Sequence, residues 1–384
     1  MYAPHETYDA IIIGARVAGA ATAMLLAKGG ARVLLVDSAA RIGDTLSTHA
    51  LMRPAVALLE RWGLAEKLVE AGTAVVTNTT FHYDRERISI PLKPVGSLPG
   101  LISPRRWLLD PMLVDAAVAA GAEVRLSTRF EGVTTGADGQ VSGVVLCDPN
   151  GHAYSARCRL LVGADGRVSR VAGAVKAPVL KATPRGAATI YGYFADIPNE
   201  GYRWMFSPSL QTGLIPTNDG LHCVFASCPP ADFRVRFGDD AGSGLVAAIA
   251  ATDPDVAEQL ASAGATQRLI RFGGAPGHIR AGAGAGWALV GDAGYFKDPA
   301  TAHGISDALL DAHRLSGAVL SGAGLRAYVR QRNAHGFEFL QLTTKIGALD
   351  WSLETLKLHH QRLSAIINAE SAELSDPAEL RVAA

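Results

Sequence analysis

Three short segments carry the residue types able to do chemistry, and each joins glycine to charged or polar neighbours. Gly14-Ala15-Arg16-Val17-Ala18-Gly19 lies near the start, Gly163-Ala164-Asp165-Gly166 near the middle, and Gly291-Asp292-Ala293-Gly294 toward the end. A glycine turn lets backbone come close to a ligand, and a helix opening at such a turn offers unpaired N–H groups to an anion. Carboxylates at strand ends can accept ribose hydroxyls. A ligand gripped by all three segments must be long, which points to FAD.

The first segment follows an apolar run, Tyr8 to Gly14, that reads as a buried parallel strand. Val17 to Lys28 reads as a helix stopped by Gly29-Gly30, and Arg32 to Asp37 as a second strand. Strand, helix, strand make a βαβ unit with a right-handed crossover. The dinucleotide fingerprint places glycine first, third and sixth. Gly14 and Gly19 hold the first and sixth places here, and Arg16 holds the third. An arginine fits there if its side chain turns outward, toward phosphate or flavin. Val17 and Ala18 then present the helix N-terminus, and Asp37, followed by Ser38, ends the second strand. Arg41 could meet ribose or phosphate, or be an ordinary solvated arginine. An unliganded unit of the same shape is the alternative to dinucleotide binding.

Asp165 follows the apolar stretch Arg159 to Val162, at the strand end where open α/β sheets bind ligands. By itself, Asp-Gly also makes a simple turn. Asp292 follows Trp287 to Val290, and the stretch Asp298 to Ala308 forms a turn ahead of a helix expected over Leu309 to Val319. Reduced flavin carries negative charge, for which a helix N-terminus is a favourable partner. Two histidines are acid–base candidates. His49 lies in the polar loop after the second strand and His303 precedes Gly304; for each, a hydrogen-bonding loop role is the alternative.

With these residues in place, the chain resembles the FAD-dependent monooxygenases of the p-hydroxybenzoate hydroxylase type over roughly residues 8–335. Geranylgeranyl reductases and flavin-dependent halogenases are relatives of that group. The resemblance implies that Gly14 to Gly19 hold the pyrophosphate, Asp37 the adenosine ribose, Arg106 the linking chain and Asp292 the ribityl or pyrophosphate portion. Asp165 would lie near adenine and touch the nicotinamide cofactor. Pro299 stands in the flavin-facing loop, where Gly304 and Ile305 would offer N–H groups to the ring. Arg16, Thr301 and Ser306 depart from the family's Gly, Gly and Asn. The implied activity is oxygenation of a small aromatic or polyketide-like molecule: NADH or NADPH reduces FAD, and O2 then gives a C4a-hydroperoxide. Tyr202-Arg203-Trp204-Met205-Phe206-Ser207-Pro208 resembles the lipid-cavity strand of geranylgeranyl reductases, which makes Trp204 and Phe206 substrate candidates; aromatic residues packing a sheet are the alternative. A single tryptophan there argues against halogenation. The competing functions are an FAD-dependent reductase or dehydrogenase of an isoprenoid-like substrate, and a flavin-binding protein without oxygenase activity. The retained Pro299, His303 and Gly304 argue against the last.

The fold that must position these residues is α/β: a Rossmann-like FAD-binding lobe (GR2-type), an inserted, mostly antiparallel substrate lobe, and C-terminal helices. The expected boundaries are 1–75, 100–180 and 275–335 for the cofactor lobe, 76–99 and 181–274 for the substrate lobe, and 336–384 for the helical region. Strands are expected over 186–196 and 202–228, with turns at Pro198–Gly201 and Asn218–Gly220. Over 336–370 an apolar stripe (Phe337, Leu340, Ile346, Leu349, Leu353, Leu356, Leu363, Ile366) would pack on the cofactor lobe or make a homodimer contact. Residues from Ser375 onward are expected to fray.

Composition excludes other classes. With 36 basic and 36 acidic residues the net charge is zero, so nothing favours nucleic acid or an acidic membrane surface. No apolar run approaches the roughly 20 residues of a membrane span. Cys147, Cys158, Cys223 and Cys228 form no metal-binding spacing and read as reduced thiols, so no metal is expected. The opening Met-Tyr-Ala-Pro-His-Glu carries no secretory pattern, and the expected location is the cytoplasm.

Overall fold

The computed structural model describes residues 7–263 and 265–374. Strand Thr7–Ile13 lies at the centre of a parallel sheet, between Val33–Val36 and Ala153–Gly163. Glu123–Arg125 and Trp287–Leu289 extend the sheet on its two sides. Alternation of side chains along a strand explains why this segment is apolar throughout. Ala10 and Ile12 face the helical layer, whereas Ile11 and Ile13 face the other side. The helical layer comprises Val17–Lys28, Arg106–Ala119 and Gly304–Leu320. The opposite face is covered by an antiparallel meander, Arg129–Thr135, Val141–Cys147 and the first half of Ala153–Gly163, which contributes Phe130, Val144 and Leu146.

Helix Val17–Lys28 starts and stops where its sequence indicates. It sits very close to the sheet, because a Cβ on Gly19 would lie 1.7 Å from the Gly14 carbonyl oxygen. The first strand begins and ends one residue earlier than expected, and the second, Val33–Val36, is one residue shorter at each end. The helix expected from Leu309 begins five residues earlier, at Gly304. Glycine, serine and aspartate at its start suggest a turn, but tertiary partners hold them helical. Asp307 pairs with Lys297, and the Asp311 carboxylate accepts a hydrogen bond from Gly291 N.

A second sheet has seven strands in the order Ile270–Phe272, Ala188–Phe194, His222–Cys228, Leu210–Pro216, Tyr202–Ser207, Asn78–Tyr83, Glu86–Pro91. All its pairings are antiparallel except Tyr202–Ser207 with Asn78–Tyr83. The 202–228 stretch is thus three strands, turned at Ser209 and at Asn218–Gly220, where Asp219 and Gly220 take positive φ. One face of this sheet carries Ile190, Val224 and Ala226 against helices Ala241–Ala250 and Pro254–Ala263. The other face turns Thr189, Tyr191, Phe225 and Ser227 toward the parallel sheet.

The 336–370 stretch divides into helices Leu325–Gly347 and Leu353–Glu373. Leu340, Ile346, Leu349, Leu356, Leu363 and Ile366 are buried, but Phe337 is exposed and Phe339 takes its place inside. The four cysteines are buried without a disulfide. No helix among the described residues is long and apolar enough to cross a membrane. The frayed-terminus expectation from Ser375, and the opening six residues, lie outside the described residues.

Candidate active site

The two sheets enclose a cavity of about 660 Å3 whose wall draws on all three glycine-bearing segments. At one end stand Gly14, Arg16, Val17 and Ala18, with Asp37 and Ser38 beside them. Gly14 needs its positive φ of 108°, and a Cβ there would meet the Ala164 carbonyl oxygen at 2.4 Å. The Asp37 carboxylate accepts hydrogen bonds from Ala15 N (2.8 Å) and Ala39 N (2.8 Å), which locks the turn to the second strand. Asp165 also lines the cavity, and its carboxylate accepts from Ser169 Oγ, Arg170 N and Val171 N. It therefore caps a short helix as well as facing the ligand space.

Arg16 does turn outward. Its Nη1 donates to the Gly43 carbonyl (3.1 Å) and to Asp110 Oδ2 (3.0 Å). Asp110 is fully buried and also takes a bidentate pair from Arg106, at 2.6 and 2.8 Å. One carboxylate thus holds two guanidinium groups beside the N-terminus of Val17–Lys28, leaving a net positive edge for an anion. Asp110 lies four residues after Arg106, a spacing that helix geometry makes readable; its link to Arg16 is not.

A further part of the wall is formed by Asp292, Asp298, Pro299, Ala300, Gly304 and Ile305; the Asp292 turn packs on the first segment, since a Cβ on Gly291 would lie 2.9 Å from the Ala18 Cβ. Burial, and after it the Asp307 carboxylate, pushes the Asp292 carboxyl up to about 6. Asp298 accepts from Ala300 N and Ala187 N, and burial raises it to about 6 as well. His303 is the N-cap residue of Gly304–Leu320, yet its side chain does not cap that helix. It reaches instead to Glu370 Oε2 on the last helix, 3.0 Å from Nε2. The first-turn N–H groups at Gly304 and Ile305 stay free beside the cavity, and a Cβ on Gly304 would meet nothing within 4 Å.

Several predicted residues sit behind this wall. Gly19 packs helix on strand. Arg41 is exposed on its loop. His49 is fully buried with φ 65°, and its Nε2 lies 2.6 Å from the Tyr193 hydroxyl. Burial, helped by Arg105, lowers the His49 pKa to about 3, so its ring is neutral at pH 7. Arg105 stacks on Tyr193 at 3.6 Å and pairs with Asp44 at 2.5 Å. Only Tyr191 of this cluster faces the cavity. Trp204 donates to Thr79 Oγ1, and Phe206 is wedged among Tyr83, Trp351 and His360. His303 is buried among Glu370, Asp307 and Phe339. The His303, Asp307 and Glu370 side chains converge within 4.8 Å, but the Lys297 ammonium already pairs with Asp307, so this is an ion-pair network rather than a metal centre. Sequence reasoning missed Lys297, Asp307, Glu370 and the roof residues Thr189, Tyr191, Phe225 and Ser227. Lys297 and Asp307 are partners only ten residues apart but across an irregular turn, the other residues' partners lie far away in the chain, and no local motif marks any of them.

The glycine cradle, paired arginines, strand-end carboxylates and free helix N-terminus line one cavity. Fold and site together define an FAD-dependent oxidoreductase. The FAD binding domain model matches residues 7–226, and the chain belongs to that family. Among curated proteins it is 28% identical to menaquinone reductase of Mycolicibacterium smegmatis, covering 91% of this chain and 90% of that one. It is 29% identical to digeranylgeranylglycerophospholipid reductase of Methanosarcina mazei, covering 81% and 74%. Among solved structures it shares its fold with PqsL of Pseudomonas aeruginosa (TM-score 0.77, 22% identity, 93% and 100% covered). It also shares its fold with the myxobacterial chondrochloren halogenase CndH (TM-score 0.75, 22% identity, 97% and 92% covered).

Proposed function

We propose that this oxidoreductase is a monooxygenase that takes electrons from NADH or NADPH and oxygen from O2 to oxygenate a small aromatic or polyketide-like molecule. FAD, when bound, accepts the electrons and activates the oxygen. In this reading residues 1–75, 100–180 and 275–335 serve the cofactor, and 76–99 with 181–274 serve the substrate. Backbone at Gly14, Val17 and Ala18 meets the pyrophosphate, with Arg16 and Arg106 balancing its charge through Asp110. Asp37 and Ser38 take the adenosine ribose, Asp165 the adenine side, and Asp292 the ribityl chain. Pro299, Gly304 and Ile305 face the ring. Tyr191, Thr189, Phe225 and Ser227 close the cavity against water and orient the substrate. Neutral His49 acts on the cavity only through Tyr193 and Tyr191.

The observation that carries this reading is the plugged Phe206 site. In the resemblance to geranylgeranyl reductases, Trp204 and Phe206 would line a long lipid cavity. Here Tyr83, Trp351 and His360 fill the space around Phe206, and neither aromatic reaches the cavity. A volume of about 660 Å3 that must house FAD as well suits a small substrate. Reduction of an isoprenoid-bearing quinone or lipid is the second reading, favoured by the two reductases at 28% and 29% identity. The fold serves both chemistries, so it does not choose.

The test is to reduce the holoprotein anaerobically, admit 18O2 and analyse the products from panels of aromatic and isoprenoid acceptors. Label in an aromatic product supports oxygenation. A saturated isoprenoid with no label in any product establishes the second reading.

A further inference from the structure

Behind the ring end of the cavity lies an array that the reading above does not use. Lys297 is 5% exposed and lines the cavity. Its ammonium sits over the rings of Tyr295 (4.3 Å) and Phe339 (4.2 Å) and pairs with Asp307 Oδ2. Asp307 lines the same wall, one turn into the helix whose first N–H groups are free. His303 stands behind the pair, 3.9 Å from Asp307 Oδ1, and is held there by Glu370. Glu370 belongs to Leu353–Glu373, whose Glu373 is bound by Arg314 and His335. A buried ammonium held by two rings and a carboxylate has its charge fixed in the wall.

We infer that Lys297 is the fixed cation the cavity presents to reduced FAD, and that Asp307 is its opposing charge, the two together setting how much more tightly reduced than oxidised flavin is held. Two electrons taken up with one proton leave one negative charge on the bound ring. A cation in a low-dielectric wall favours that charge and an anion opposes it. Both members line the cavity, and the proposed function puts them on its flavin side, since there the βαβ turn and Asp37 hold the pyrophosphate and adenosine. Asp292 feels both members: burial is the main cause of its raised carboxyl pKa, the Asp307 carboxylate raises it further, and the Lys297 ammonium opposes them. Glu370 is a positioning residue, since it reaches the cavity only through His303.

The inference rests on FAD occupying this cavity and not on oxygenation, so it is tested without substrate or O2. The binding of oxidised FAD and of dithionite-reduced FAD is measured for holoprotein variants whose fold is checked by circular dichroism. Lys297→Met is expected to lower the reduced-to-oxidised affinity ratio about tenfold, equivalent to about 30 mV for a two-electron couple. Asp307→Asn is expected to raise the ratio at least about threefold, and the double variant to return near wild type. Lys297→Arg keeps the charge and should keep the ratio. A merely structural role would move both single variants in one direction. That result, or ratios for Lys297→Met and Asp307→Asn within twofold of wild type (about 0.4 kcal/mol), overturns the inference. If Lys297→Met loses FAD altogether, the double variant decides: a ratio no lower than that of Asp307→Asn overturns it, and a lower one sustains it.

Discussion

The two ends of the cavity are built on different principles. At the Gly14 end backbone amides line the cavity, the Asp37 and Asp165 carboxylates are held by N–H groups of their own or adjoining turns, and the buried charge, Asp110, is neutralised by Arg16 and Arg106. At the Gly304 end the wall contains side-chain charges taken out of water and balanced against one another: Lys297, Asp307 and, behind them, His303 and Glu370. In the proposed function the first group of residues meets a pyrophosphate, whose charge does not change, and the second meets a ring whose charge changes in the reaction; buried charges are a means of responding to that change. The difference teaches that shape matters most at the first end and electrostatics at the second.

The sharpest way to break this comparison is Gly19→Ala. Its Cβ would fall 1.7 Å from the Gly14 carbonyl oxygen, so helix and strand must separate. The expected loss is about 3 kcal/mol, together with FAD retention, read by urea unfolding and by the colour of the purified protein. Gly304→Ala is the control at the other end. With nothing within 4 Å of the new Cβ, stability should change by less than about 0.5 kcal/mol in the apo protein. A large loss there would mean that backbone shape rules both ends.

Glu370→Ala comes next, at roughly 2 kcal/mol, because it leaves the buried His303 Nε2 without its acceptor. A double-mutant cycle with His303→Leu should show coupling between the two; additive losses would sever the array. Asp292→Ala sharpens the electrostatic side. FAD retention should weaken, and unchanged flavin content would remove Asp292 from the site. The same variant changes the pH dependence of the apo protein. The folded-state pKa of Asp292, about 6, lies above its unfolded value, so its contribution favours folding at low pH and is lost as pH rises through 6. Because the group partly faces the cavity, screening limits the effect to about 1 kcal/mol. The variant should lose less stability than wild type between pH 4 and pH 7, and an unchanged slope would contradict the burial argument.

Much of the first end was legible. An apolar run before Gly14, an alanine-rich stretch and an acid at Asp37 are neighbours in the chain, and their periodicity declares strand, helix and strand. Arg16 was legible as a departure, but its destination was not, since Asp110 is 94 residues away. At the second end the glycines and Pro299 were readable, whereas the helix start at Gly304 was placed too late. The residues that hold it helical act through Lys297, Gly291 and Glu370 rather than through local propensity. Trp204 and Phe206 were singled out by their resemblance to the lipid-cavity strand of geranylgeranyl reductases, and sheet pairing sends them into packing instead of into the cavity.

The amino-acid order alone determined the βαβ unit, the three-part grip and hence FAD, because each rests on periods and turns that span a few residues. Tertiary structure alone decided which charges and which aromatics line the cavity and where the helix at Gly304 begins. Those outcomes depend on burial and on partners tens to hundreds of residues apart, and neither quantity is written in any local window of sequence.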